Sequence, residues 1–250
     1  MVKNLQQQIK QMFSGLTFED RRHLYFWHGE RVPKSVSALV EHFVEPFDIK
    51  KWAPICASKE RITEHEMIHK WQTTNKKACD LGTETHDFLE HYNGLVSTTT
   101  EQQKAGVRYL KDLLSEVVPS GGERRYSILF KELRMYSKRF NFAGTADLIL
   151  FDHLTNSIVI ADYKTNGDLF KTYGWLKPPF EYLEGNPFNH YQLQLSYYQI
   201  LLEELNLPVP VSERNIVYLR ANGEYEILST FNFTEQLKQL LIAKQSKNAA

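Results

Sequence analysis

The spacing of apolar positions changes several times along this chain, and each change marks an expected element. Residues 3–14 carry a weak helical rhythm. Across residues 17–39 the pattern becomes that of a hairpin. Leu24, Tyr25, Phe26, Trp27 and Val32 favour strand, and the chain turns near His28-Gly29. Ser37 is placed to cap a short helix through Phe43, which Pro46 ends. From Ile62 to Tyr92 there is no proline. Met67, Ile68, Trp71, Ala78, Leu81, Thr85, Phe88 and Leu89 fall near helical spacing, with one interruption at Gly82. The polar run GLVSTTTEQQ leads into a helix around 100–117, and PSGG at 119–122 breaks the chain.

From Tyr126 the texture shifts to short apolar runs. Residues 126–136, 145–152 and 157–163 read as three strands joined by short turns, which makes them an antiparallel meander. A loop rich in Lys, Tyr, Trp and Pro spans 166–189, followed by the helix HYQLQLSYYQILLEELN. A strand pair, 215–219 and 225–230, precedes a C-terminal helix from about Thr234. The order predicts an α/β fold: one mixed β-sheet flanked by helices, with an N-terminal hairpin and helical additions. The expected layout is one domain over 1–250, with the hairpin and helix addition at 1–60, a core at 61–205 and C-terminal strands and helix at 206–250.

Composition narrows the chemistry. With 250 residues and a 42% apolar share, the chain can bury a substantial core. Thirty Lys plus Arg balance thirty Asp plus Glu, so a polyanionic partner would need a locally basic surface. Cys56 and Cys79 form no CxxC or Cys/His cluster, which argues against zinc, an iron–sulfur centre or a disulfide scaffold. No apolar run reaches the roughly 18 residues of a membrane helix, and the start lacks a signal-peptide core, so a cytoplasmic protein is expected. No G-x-x-x-x-G-K-[ST] occurs, so no nucleotide cofactor is expected.

Charge at the ends of the apolar strands then stands out. Asp162 and Lys164, two apart on one strand, share a face while Tyr163 points away. The hairpin can bring Asp147 beside them. Carboxylates at the edge of an apolar sheet are costly unless compensated, and a divalent cation compensates them. Carboxylate ligands with open water positions suit Mg²⁺ or Mn²⁺, ions that acidify water and stabilise phosphoryl transfer. A lysine there can steady the water or the phosphate.

These residues resemble the PD-(D/E)XK nuclease superfamily, in its RecB-type and phage exonuclease branch. G-T-A-D at 144–147 is similar to the family's G-x-x-D strand, and I-A-D-Y-K-T at 160–165 to its (D/E)-x-K strand without the leading proline. The resemblance implies a restriction-endonuclease-like core. It also implies metal ligation by Asp147 and Asp162, catalytic support from Lys164, and the Tyr163 carbonyl as a further ligand. G-T-E-T-H at 82–86 resembles the family's G-x-x-x-H helix, which maps the histidine to His86. An imidazole ligand suits Mn²⁺ better than Mg²⁺. Glu132, fifteen residues before Asp147, lies where this branch often carries an acid; a surface pair with Lys131 is the competing reading. Asp87 and Asp152 read as solvated or capping groups.

Q-L-S-Y-Y within the late helix resembles the family's Q-x-x-x-Y motif, registered as Gln194 and Tyr198. An i, i+4 pair shares one helical face and can reach the same nucleic-acid strand. Gln192 and Tyr191 are weaker candidates from the same segment. In the loop that follows Lys164, the interleaved Lys171, Tyr173, Trp175 and Lys177 offer cations for phosphate and rings for bases. Arg124, Arg125, Arg134, Lys138 and Arg139 add basic density around the first meander strand. The expectation is a Mg²⁺- or Mn²⁺-dependent DNA exonuclease with one or two ions, acting on ends or single strands. Its recombination or replication partner is unidentified. An endonuclease of the same fold is the nearest alternative; a catalytically silent nucleic-acid clamp and a structural adaptor are the alternatives of other classes.

Overall fold

The computed structural model of the chain describes residues 1–119 and 121–248. In it a five-stranded mixed sheet is flanked by helices, and a three-stranded antiparallel sheet stands at its N-terminal side. The expected mixed α/β architecture is the one observed. Ser120, within the expected PSGG break, lies outside the described residues.

Helix α1 (Val2–Met12) buries Leu5 and Ile9. The small sheet follows as β1 (Leu16–Glu19), β2 (Leu24–Trp27) and β3 (Glu30–Arg31), with the expected turn at His28-Gly29 between β2 and β3. Strand β1 was not among the expected elements. Helix α2 (Val36–Glu41) is capped by Ser35, whose Oγ accepts from the Ala38 N–H at 3.2 Å, and not by Ser37. The cap lies two residues earlier because Val36, Leu39 and Val40 must all face the core.

Helix α3 (Ile49–Glu60) has no counterpart in the sequence reading. It carries Pro54 in its interior and buries only Ala53 and Ala57. Helix α4 (Glu64–His91) starts in a full capping box of Thr63 and Glu66 and runs unbroken through Gly82. Helix α5 (Glu101–Ser115) packs its buried face, Ala105, Val107, Tyr109, Leu110 and Leu113, on one side of the large sheet.

The meander is β4 (Tyr126–Ser137), β5 (Phe142–Asp152) and β6 (Ser157–Lys164), antiparallel throughout. Helix α6 (Pro187–Glu203) begins three residues earlier than expected, where Asn186 accepts from the Asn189 N–H and Pro187 takes a first-turn position that needs no donor. It returns the chain so that β7 (Val211–Leu219) pairs parallel to β6, and β8 (Tyr225–Ser229) closes the edge. Helix α7 (Thr234–Asn248) ends the chain's described part.

The order β4-β5-β6-β7-β8 leaves β5 and β6 buried on both faces, which explains their near-continuous apolar runs. One core lies under α1, α2, α6 and α7 and includes Ile149, Phe151, Ile158 and Ile160. The other lies under α5 and the end of α4 and includes Leu148, Val159, Ala161 and Tyr163. Burying carbon surface on both faces stabilises this sheet by roughly 25 cal/mol per Å². Among the described residues, no helix is long and apolar enough to cross a membrane.

Candidate metal centre

Three carboxylates stand side by side across the meander. On β4 and β5 the flanking pairs are Lys131 with Leu148 and Leu133 with Ala146, so Glu132 faces Asp147. On β5 and β6 the last pair is Leu148 with Ala161, so the next residues, Asp147 and Asp162, face each other as the ladder ends. Like charges directly opposite destabilise a sheet, and this row holds them on three neighbouring strands.

Glu132 is held there by an unusual backbone. Its φ is +51°, in the left-handed region that a non-glycine residue in mid-strand rarely adopts. The turn in the chain aims two consecutive side chains toward the end of α4. Lys131 Nζ donates to the carbonyls of Leu89, Glu90 and Tyr92 at 2.9–3.1 Å, while Glu132 joins His86 and Asp147. Ligand atoms of His86, Glu132 and Asp147 all lie within 4.8 Å of one another. Non-glycine residues held in the left-handed region cluster at active sites and ligand clamps.

The charges divide into two linked sets. His86 Nδ1 lies 3.2 Å from Asp147 Oδ1, and the Tyr163 N–H donates to Asp147 Oδ2 at 2.7 Å. Asp162 turns instead to Lys164, with which it forms a buried ion pair. Its Oδ2 has no well-directed hydrogen bond, only the ammonium beside it. Asp162 and Lys164 share a face, as their spacing predicts. The Tyr163 ring sits on the other face, edge-on to both His86 and Tyr109 at 6.1 Å. Lys164 Nζ rests 4.3 Å above the Tyr191 ring, and the Tyr191 hydroxyl donates to Asn166 Oδ1 at 2.8 Å.

Proton affinities follow from this crowding. Burial, then the charge of Asp147, pushes Glu132 up to about 8. Burial and the same neighbour push Asp162 up to about 6 against the pull of Lys164. Burial works against a charged His86, but the Asp147 carboxylate outweighs it and lifts the imidazole to about 9. Burial would also raise Asp147, yet His86, Lys164 and the Tyr163 N–H hold it below the ordinary carboxylate range. Lys164 is buried too, and Asp162 keeps its ammonium above its ordinary value. A site that gathers this many protons is short of positive charge. One imidazole nitrogen and the carboxylate oxygens of Glu132 and Asp147 form a donor set that fits a Mn²⁺- or Mg²⁺-sized cation, while Asp162, expected as a ligand, lies outside that set with its Oδ2 against Lys164.

The glycine of G-T-A-D has a packing reason. A Cβ at Gly144 would lie 2.6 Å from Val36 Cγ2 and 2.9 Å from Tyr198 Cε1, so α2 and α6 approach β5 through the space it leaves. Tyr198 is buried, and Gln194 Nε2 donates to its hydroxyl at 2.6 Å. The two share a face as the i, i+4 spacing predicts, and Tyr198 carries Gln194 on the side of α6 nearest Asp162. Gln192 does not belong with them. It is 1% exposed, its amide donates to Asn189 Oδ1, and its oxygen accepts from the Phe231 N–H, so it joins α6 to the chain before α7. In a helix buried on most sides, polar residues two apart serve different neighbours.

Lys171, Tyr173 and Trp175 stand on the surface, Lys171 Nζ 5.5 Å from the Tyr173 ring. Leu169, Leu176 and Phe180 anchor their loop in the core. No hydrogen bond or ion pair among the described residues joins those three to the acids. Asp152 is fully buried; it pairs with Arg125 at 3.0 Å and accepts from the Leu154 N–H, a capping role as expected. The residue that sequence reasoning missed is Tyr25 on β2, whose hydroxyl lies 2.8 Å from Thr145 Oγ1, two residues before Asp147. Its only sequence signal was strand propensity.

No family model and no curated protein matches the chain. Among solved structures, one from Eubacterium rectale described as a "Putative exonuclease" is similar over 64% of this chain and 57% of that one, at 13% identity and a TM-score of 0.36. A likeness that distant carries no argument about activity.

Proposed function

We propose that the chain is a metal-dependent nuclease that hydrolyses phosphodiester bonds in DNA, with action from ends or on single strands. The observation that carries this reading is the row Glu132, Asp147 and Asp162 across three adjacent strands, with His86 and Lys164 on either side of it. Purely structural acids would not be gathered on facing strands at the cost of a strained backbone.

His86, Glu132 and Asp147 are the residues that would hold a divalent cation, Mg²⁺ or Mn²⁺; Asp162 and the Tyr163 carbonyl are the further ligands that the resemblance implies. When bound, such an ion offsets the carboxylate charge, lowers the pKa of water and stabilises charge on the phosphoryl group. His86 must give up the proton it shares with Asp147 before its nitrogen can act as a donor to metal. Lys164 stays an ammonium because Asp162 lies against it, and the Tyr191 ring restricts where its Nζ can point. From there it donates to a phosphate oxygen or to the attacking water. Gln194, oriented by Tyr198, offers an amide to the same strand. Tyr173 and Trp175 supply exposed rings for bases. The preference for exonuclease over endonuclease rests on the resemblance of the His86 and Gln194/Tyr198 motifs to the RecB-type branch.

The test incubates linear, closed circular, single-stranded and duplex DNA with Mg²⁺, Mn²⁺ or EDTA, alongside Asp162→Ala and Lys164→Ala. Metal-dependent loss of linear DNA that both variants abolish is the expected result. Digestion in EDTA, or full activity in both variants, overturns the mechanism. Cleavage of closed circles favours an endonuclease, and binding without cleavage in any metal favours the clamp.

A further inference from the structure

The acids at the candidate centre repel a polyanion, and the chain as a whole carries no net charge. Any nucleic acid must therefore be drawn in by cations elsewhere. A run of them begins next to the acids and follows β4 away from them. Beyond Glu132, alternate residues Arg134 and Tyr136 lie against the small N-terminal sheet. The Arg134 guanidinium lies 5.1 Å from the Phe18 ring, and Trp27 stacks on Tyr136 at 4.8 Å. Lys138 Nζ sits 5.0 Å from Trp27, and Arg139 sits 4.9 Å from Phe140. From Glu132 to Ser137, where β4 ends just before Lys138, the strand spans about 17 Å.

The protein neutralises these cations only weakly, with Glu204 acting on Arg139 from a distance. Arg134 has only a long pair with Asp20 at 3.7 Å. Among the described residues, Arg31, Lys34, Lys138, Arg139 and Lys244 have no carboxylate within ion-pair distance. At the far end two lysines meet. Lys34 precedes the bridge from Ser35 to Ala143, and Lys244 on α7 stands against it, close enough to hold the Lys34 ammonium below its ordinary value. Next to Lys244, Gln245 bonds the Arg139 carbonyl, so α7 brings its lysine to the β4–β5 turn. The acids nearby are few. Glu30 faces Tyr136, and Glu204 accepts from Ser137 Oγ.

We infer that this cation-and-ring track, from Arg134 past Trp27 to Lys138 and Arg139, is a binding surface for one strand of nucleic acid that continues from the carboxylate row. Phosphates would meet the cations, and unpaired bases would meet the rings, which a duplex keeps stacked inside itself. The N-terminal sheet thereby acquires a role. It is fixed to the sheet beside the centre by Tyr25 and Thr145, and it carries the rings outward. The inference rests on the nuclease reading for its direction, but not for its affinity.

The test measures binding of a fluorescently labelled single-stranded oligonucleotide by anisotropy in EDTA, over a salt series, for wild type, Trp27→Ala, Lys138→Glu and Arg139→Glu. Wild-type hydrolysis in Mn²⁺ is measured in parallel, and circular dichroism confirms the fold. Because Trp27 is half-buried, the two charge variants keep the result readable if Trp27→Ala unfolds. Trp27→Ala should weaken binding about 5- to 100-fold. Each charge reversal should weaken it and make the slope of log affinity on log salt shallower by about 0.7 or more. Unchanged affinity and slope in all folded variants, with wild type active, overturns the track and leaves the nuclease reading standing. Weakened binding with an inactive wild type supports the track and sinks the nuclease reading. With the same oligonucleotide annealed to its complement as a second probe, a loss confined to the duplex, or no binding of the single strand by wild type, overturns the single-strand track.

Discussion

Replacing Glu132 by glutamine separates what the acid row does for function from what it does to stability. In solution a glutamate titrates near 4.5, and in the folded chain Glu132 does so at about 8, from burial and the facing Asp147. A carboxyl whose folded pKa is raised binds more protons in the native than in the unfolded state between those two values. Native stability therefore falls as pH rises from about 4.5 to about 8, by at most about 1.4 kcal/mol per pH unit. Solvent reaches part of Glu132 and screens it, which reduces the total at pH 8 to about 1–3 kcal/mol. Glutamine has nearly the same shape and no charge to place there. Without metal, Glu132→Gln should melt roughly 2–10 °C above wild type at pH 8, and the gap should close toward pH 5. His86, lifted to about 9, loses its own stabilising contribution as pH rises from 6.5 through 9, and because its charge also acts on Glu132, the difference between wild type and variant reports Glu132 together with its coupling to His86. Added Mn²⁺ should reverse the order. An ion at 100 times its Kd stabilises the native state by about 2.7 kcal/mol, and the variant lacks one ligand. Differential scanning calorimetry from pH 5 to 8, with EDTA or Mn²⁺, reads all of this. Equal melting points at every pH, or a wild type that gains stability across the window, would refute the crowding of carboxylates on which the site is built.

Lys164→Met should reduce hydrolysis by about 10²–10⁴ while leaving Mn²⁺ binding detectable by calorimetry, since His86, Glu132 and Asp147 remain; loss of metal binding would place the lysine in the wrong role. Gly144→Ala should cost about 1–3 kcal/mol in urea denaturation, because its methyl meets Val36 and Tyr198 inside 3 Å. Asp152 has its pKa held below 3.8: burial opposes this, but Arg125 and the Leu154 N–H outweigh it. A depressed acid contributes stability that is present above its unfolded pKa and lost as pH falls through the folded one. Asp152→Asn should therefore lower the melting point at pH 7 and narrow its difference from wild type below about pH 4; a constant gap across an acid titration would count against the Arg125 pair.

Much of the site is local, and local features are legible. Asp162 and Lys164 share a face because strands alternate. Gln194 meets Tyr198 because helices place i and i+4 together. The meander follows from three apolar runs and two short turns. Where a side chain's surroundings come from distant segments, the pattern is silent. Gln192 and Gln194 look alike in QLQLSYY, yet one is spent on Phe231 and Asn189 and the other on the Tyr198 hydroxyl. Helix α3 was hidden because Pro54 interrupts the expected donor pattern and only two alanines mark its buried side.

What the sequence by itself determined is the set of groups and their order: two acids on successive strands, a lysine two positions on, and a histidine on an earlier helix. Periodicity alone puts these on particular faces, since it follows from backbone geometry common to all chains. Only the tertiary structure decided how they divide. The left-handed backbone at Glu132 turns that residue toward α4 and makes it the third carboxylate in the row. The same packing pairs Asp147 with His86 and leaves Asp162 to Lys164. Those choices depend on pairings between residues 39 to 61 positions apart, such as Lys131 with the end of α4 and His86 with Asp147. No short-range pattern encodes a distance that the chain reaches only after the sheet has closed.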